Sequence, residues 1–113
     1  MPAYAIAHMT EVRMGPEIVR YMEQVDATLE PFDGRFLVHG DNDLAVMDGE
    51  WQGVVVIVEF PTREQADAWY ASEAYQAILA LRTENSEGGA VIVDGVAPGY
   101  RASSYAAAAA AAA

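Results

Sequence analysis

The chain has 113 residues, 53% of them hydrophobic, and no cysteine. That length and composition support one core in one domain without cross-links, and exclude disulfides, thiolate nucleophiles and cysteine-based zinc or iron–sulfur centres. Seventeen acidic residues stand against six basic ones, all arginine, for a formal net charge of −11, which repels phosphate backbones and anionic lipid and argues against nucleic-acid and membrane partners.

Ala3 to Val12 alternates Tyr4, Ile6, His8 and Thr10 with Ala5, Ala7 and Met9, which predicts a first strand. Pro16 and Glu17 then open a helix, because proline suits the first helical position and an acid suits the positive end of the helix dipole. Ile18, Met22, Val25 and Leu29 follow at helical spacing as one apolar stripe. Pro31 ends this helix between residues 30 and 32, and Asp33-Gly34 supplies the left-handed residue for the reversal. Arg35 to His39 reads as a second strand. It is followed by a turn cluster at Gly40-Asp41-Asn42-Asp43, a short ribbon from Leu44 to Met47 and a turn at Asp48-Gly49.

Val54 to Phe60 is almost wholly β-branched and apolar, as expected of a central strand buried on both faces. Pro61 stops it, and Thr62-Arg63-Glu64-Gln65 has the spacing of a capping box, so a second helix starts there. Ala71-Ser72-Glu73 offers a fresh cap, and a third helix is expected from Glu73 to about Glu84. Asn85 to Gly89 reads as a polar turn, and Ala90 to Val96 as the last strand.

Strand, helix, strand, strand, helices, strand describes an α+β domain: a ferredoxin-like βαββαβ antiparallel sheet with helices on one face. The other face of so apolar a sheet needs a cover, so a homodimer is expected. The domain is placed at residues 1–101. Residues 102–113 form a tail that ends in eight alanines and carries no functional content. The start, Met1-Pro2-Ala3-Tyr4, has neither the basic region nor the apolar run of a signal peptide, and no stretch reaches the ~20 apolar residues that cross a bilayer. A cytoplasmic location is therefore expected.

The stretches Ala3-Tyr4-Ala5-Ile6-Ala7-His8, Gly34-Arg35-Phe36-Leu37-Val38-His39-Gly40, Glu59-Phe60-Pro61 and Trp69-Tyr70-Ala71-Ser72-Glu73-Ala74-Tyr75-Gln76 resemble the bacterial domain of unknown function family 1330. The resemblance runs over residues 3 to 96. It implies the dimeric α+β barrel, in which two ferredoxin-like sheets face each other, as in cofactor-free monooxygenases and related small isomerases. It implies no activity. At two positions this chain departs from the family pattern: Gly15 stands where an aspartate usually precedes the first-helix proline, and His39 stands where an arginine is common.

No catalytic motif is complete: there is no phosphate-cradling glycine loop, no Ser-His-Asp arrangement and no paired-histidine metal motif. No metal or other cofactor is expected. What remains are polar side chains inside apolar elements, which need partners if buried. Glu59, at the end of the most apolar strand, is suited to act as a general base, or else to form a salt bridge to an arginine or stand exposed at the strand end. His8, inside the first strand, is suited to proton transfer, or else is a hydrogen-bonded core histidine. Arg82 shares a helix face with Tyr75 and Ile78, so it either clamps a ligand carboxylate or pairs internally with Glu59 or a backbone carbonyl. Arg35 offers a second clamp, Trp69 and Tyr75 offer aromatic walls, and Trp51 offers a cover for the dimer seam.

Two functions follow. One is a cofactor-free enzyme acting on a small organic acid or an aromatic carbonyl compound in a pocket lined by His8, Arg35, Glu59, Tyr75 and Arg82, with Trp69 as a wall. The other is a small-molecule-binding or stress-related accessory protein without catalysis.

Overall fold

The computed structural model describes residues 1–40 and 43–112. Strand β1 (Ala3–Val12) lies at the centre of a four-stranded antiparallel sheet with β2 (Arg35–Val38), β3 (Val54–Phe60) and β4 (Ser86–Asp94), in the order β2-β3-β1-β4. Each crossover skips one strand. Helix α1 (Pro16–Leu29) connects β1 to β2 past β3, while α2 (Arg63–Ala71) and α3 (Glu73–Thr83) connect β3 to β4 past β1. This is the ferredoxin-like α+β fold expected from the element order. A last helix, α4 (Ala102–Ala112), is exposed along its whole length.

Local chemistry sets the helix ends. Pro16 stands at the start of α1, and Asp33, rather than Gly34, adopts the left-handed conformation at φ 59° that turns the chain into β2. Thr62 Oγ1 accepts from the Gln65 amide at 3.2 Å, and Ser72 Oγ accepts from the Tyr75 amide at 3.2 Å. The second cap lets α3 leave α2 in a new direction, which carries Tyr75 back over the sheet.

Alternation along the strands gives the sheet two unlike faces. Ala3 and Ala5 of β1, Val56, Val58 and Phe60 of β3, and Ile92 of β4 pack towards the helices and join Val25, Leu29, Trp69 and Ile78 in the core. Their neighbours Ile6, His8, Val55, Ile57, Val91 and Val93 point the other way. On that open face Val91 is 59% and Val93 44% exposed.

Three expectations are corrected. The ribbon at Leu44–Met47 does not form: these residues belong to no strand, and their side chains lie with Trp51 against Val55 instead. The last strand begins at Ser86, not Ala90, so the glycines read as a turn lie inside β4 opposite His8 and Met9. A Cβ at Gly88 would stand 2.0 Å from the His8 carbonyl oxygen, so glycine there permits close approach of two strands. The second strand stops at Val38, leaving His39 outside it. Of the turn cluster that follows, Asp41 and Asn42 lie outside the described residues. No helix among the described residues is long and apolar enough to cross a membrane.

Candidate binding cavity

Between the helix-facing side of the sheet and helices α1 and α3 lies a cavity of about 720 Å³. Small side chains make its floor, because Ala5, Ala7 and Ala90 present only methyl groups where larger residues would fill the space. Ile18, Met22 and Val25 of α1 form one wall, and Trp69 and Tyr75 form another. The volume is within the range of small-molecule pockets.

Trp69 is anchored from both sides. Its Nε1 donates to the buried Thr28 Oγ1 at 3.0 Å, and Thr28 in turn donates to the Val25 carbonyl at 2.7 Å. Its ring packs on Tyr75, with centroids 4.1 Å apart, and on Phe60 at 5.4 Å. The indole is thus a fixed flat wall.

The polar end of the cavity is built from α1 and α3. Tyr21 Oη and Tyr75 Oη share a hydrogen bond of 2.8 Å, and the half-buried Arg82 guanidinium lies beside both phenols. Burial, then the neighbouring Tyr75, raises the Tyr21 pKa well above the usual tyrosine value, with Arg82 pulling weakly the other way. Tyr21 therefore remains a protonated donor at every physiological pH. Burial works against the charge on Arg82, but the phenols of Tyr75 and Tyr21 outweigh it and hold its pKa above the usual arginine value.

The sequence candidates divide between the two faces. Tyr75, Arg82 and Trp69 line the cavity, whereas His8, Arg35 and Glu59 do not. Phe60 turns towards the helices, so alternation aims its neighbour Glu59 at the open face. There Arg35 Nε and Nη2 donate to Glu59 Oε1 at 2.8 and 2.7 Å across the β2–β3 pair. The Arg82–Glu59 pair weighed from the sequence is accordingly not formed. His8 is on the same open face, donating from Nε2 to the Gln52 carbonyl at 2.9 Å and stacked on Trp51 at 4.6 Å between ring centroids. His39 lies at the cavity's rim, exposed and edge-on to Phe36 at 5.4 Å.

Tyr21 is the residue that sequence reasoning missed. Its signal was present: it follows Ile18 by three residues and precedes Val25 by four, which places a phenol inside the apolar stripe of α1. Among the described residues, no group of three or more His, Asp or Glu side chains is arranged to hold a metal ion.

The family model described as "Domain of unknown function (DUF1330)" matches residues 2–96, and the chain belongs to that family. No curated protein matches it. Among solved structures it is similar to methylated RPA0582, a protein of unknown function from Rhodopseudomonas palustris, at 16% identity and TM-score 0.65 over 88% of this chain and 84% of that one. A dimeric ferredoxin-like protein of unknown function from Jannaschia sp. CCS1 matches at 16% identity and TM-score 0.59, over 86% of this chain and 100% of the other. SnoaB, a cofactor-independent oxygenase from Streptomyces nogalater, matches at 10% identity and TM-score 0.56, over 88% and 97%. At these identities the likeness is one of fold.

Proposed function

We propose that this member of the DUF1330 family takes up a small organic acid or an aromatic carbonyl compound in the cavity between sheet and helices and acts on it without a cofactor. The observation that carries this reading is an apolar cavity of about 720 Å³ whose interior polar end consists of Tyr21, Tyr75 and Arg82. Apolar walls with a few convergent donors suit a flat ligand carrying an oxygen acceptor. Phenol and guanidinium donors stabilise negative charge that develops on that oxygen, the usual form of electrostatic catalysis in a site shielded from water. SnoaB does cofactor-independent oxygenase chemistry on a fold of this kind, which supports the cofactor-free part by analogy only.

A non-catalytic binding role is the second reading. It is favoured by the placement of His8 and Glu59, the two candidate bases, on the face away from the cavity. A thermal-melt panel of aromatic and short-chain carboxylic acids tests uptake, because a ligand bound only by the folded chain raises the midpoint. Mass analysis of the same mixtures then separates the readings: altered compounds support the enzyme, and unaltered ligands that raise the midpoint support the binder. No midpoint shift anywhere in the panel overturns both.

The second copy belongs to the open face. Leu37, Val91 and Val93 are exposed there beside the half-buried Ile6, Val55 and Ile57, a patch of the kind that marks an interface. The Jannaschia relative is described as dimeric. In this arrangement two sheets face each other as a dimeric α+β barrel, with Trp51 and the Arg35–Glu59 pair at the seam.

A further inference from the structure

We infer that the cavity selects a weakly acidic phenol or enol and holds it as its conjugate base, with the negative oxygen at Tyr21, Tyr75 and Arg82. This deepens the reading of the cavity as a ligand site and rests on it.

Two phenols carry two O–H hydrogens, and the single hydrogen bond between Tyr21 and Tyr75 uses one of them. A guanidinium has five N–H donors and no acceptor. Among the described residues, neither phenol nor Arg82 forms a further side-chain hydrogen bond to a carbonyl, and Arg82 forms no salt bridge with a carboxylate. The polar end therefore holds an excess of donors over acceptors.

The other titratable groups around the cavity do not change that balance. Arg63 and Asp67 of α2 pair with each other at 3.1 Å, and His39 and Tyr70 are exposed at the rim. The sheet strands contribute only apolar side chains and glycine backbone to the lining. No base in the interior competes for the donors, and none is placed to receive a proton.

An oxygen placed there is favoured more as an anion than as a neutral group, because a hydrogen bond to a charged acceptor is stronger than one to a neutral acceptor. The step is an ionisation: the ligand O–H bond breaks, the electron pair remains on oxygen, and the proton passes to solvent water. A phenol or enol fits better than a carboxylate. Tyr75 and Tyr21 flank the guanidinium, so its edge is not free for the paired N–H···O bonds that a carboxylate makes. The flat walls of Trp69 and Tyr75 suit the same planar ligands.

The test uses p-nitrophenol, whose neutral and ionised forms absorb at different wavelengths, and its methyl ether p-nitroanisole, which cannot ionise. Bound to the full chain, p-nitrophenol is expected to ionise about one pH unit below the free compound, a roughly tenfold preference for the phenolate. Tyr21→Phe and Arg82→Gln, each checked for a cooperative melt, should bring the midpoint back towards that of the free compound. If the probes bind and the p-nitrophenol midpoint is unchanged or raised, oxyanion selection is wrong while the cavity remains a ligand site. If neither probe binds, the cavity reading fails and this inference fails with it. Should a variant not fold, the wild-type shift still decides.

Discussion

Replacing Thr28 with valine keeps the shape of the side chain and removes its oxygen. Thr28 is 6% exposed and Trp69 5% exposed, so no bulk water stands ready to replace the lost acceptor. The Val25 carbonyl loses only a supplementary donor, because it keeps its place in the backbone ladder of α1. The indole Nε1–H, by contrast, loses its one partner at 3.0 Å, and a buried donor left without an acceptor costs about 1–3 kcal/mol. For a domain of roughly 60–100 ordered residues that lowers the melting midpoint by on the order of 5–20 °C. Thermal melts at one fixed protein concentration measure it, with Trp69→Phe and the double variant completing a cycle. In the phenylalanine background there is no indole N–H to strand, so Thr28→Val should then cost little, and the two sites should couple by about 1 kcal/mol or more. Equal losses from Thr28→Val in both backgrounds would refute the reasoning, and would mean that packing alone holds the Trp69 wall.

Ile57→Asp places a charge on the open face without touching the helix-packed core. The wild-type chain should sediment as a dimer at micromolar concentration and the variant as a monomer with unchanged helix content; a wild-type monomer removes the interface proposed for the open face. In the monomeric Ile57→Asp background Glu59→Gln should cost under ~1 kcal/mol, because Arg35 in the pair it breaks is 70% exposed in the single chain, and a loss of several kcal/mol in that background would contradict an exposed pair. Stability should also fall in alkali. The Tyr21 pKa is raised in the folded chain, so its contribution is complete below the unfolded value of about 10 and is lost as pH rises from there towards the folded value, where the unfolded chain has already released the proton. Tyr21→Phe should flatten that part of the stability–pH curve, and an unaltered slope in the variant assigns the alkaline loss to other groups.

Much of the fold was legible in the sequence because it is written in local chemistry. The β-branched run at Val54–Phe60 coincides with β3, and the caps at Thr62 and Ser72 start helices where their side chains accept backbone N–H groups. Where local signals misled, a tertiary contact overruled them. Gly88 and Gly89 resemble a turn in isolation, but they sit in β4 because the neighbouring strand approaches too closely for a Cβ at Gly88. Leu44–Met47 has the composition of a strand but belongs to none, lying with Trp51 against Val55.

The candidate site shows the same division more sharply. The sequence by itself determined which side chains are polar within apolar elements, and strand alternation already put Glu59 and Phe60 on opposite faces. It could not say which of those faces the helices cover, because that depends on how the chain crosses over the sheet. Tertiary structure decided this, sending Tyr75, Arg82 and Trp69 to the cavity and leaving His8, Arg35 and Glu59 outside it. It also brought Tyr21 of α1 within 2.8 Å of Tyr75 of α3, 54 residues away in the chain. The hydrogen bond between those phenols exists only because two helices far apart in sequence pack on one sheet, a relation that no local periodicity encodes.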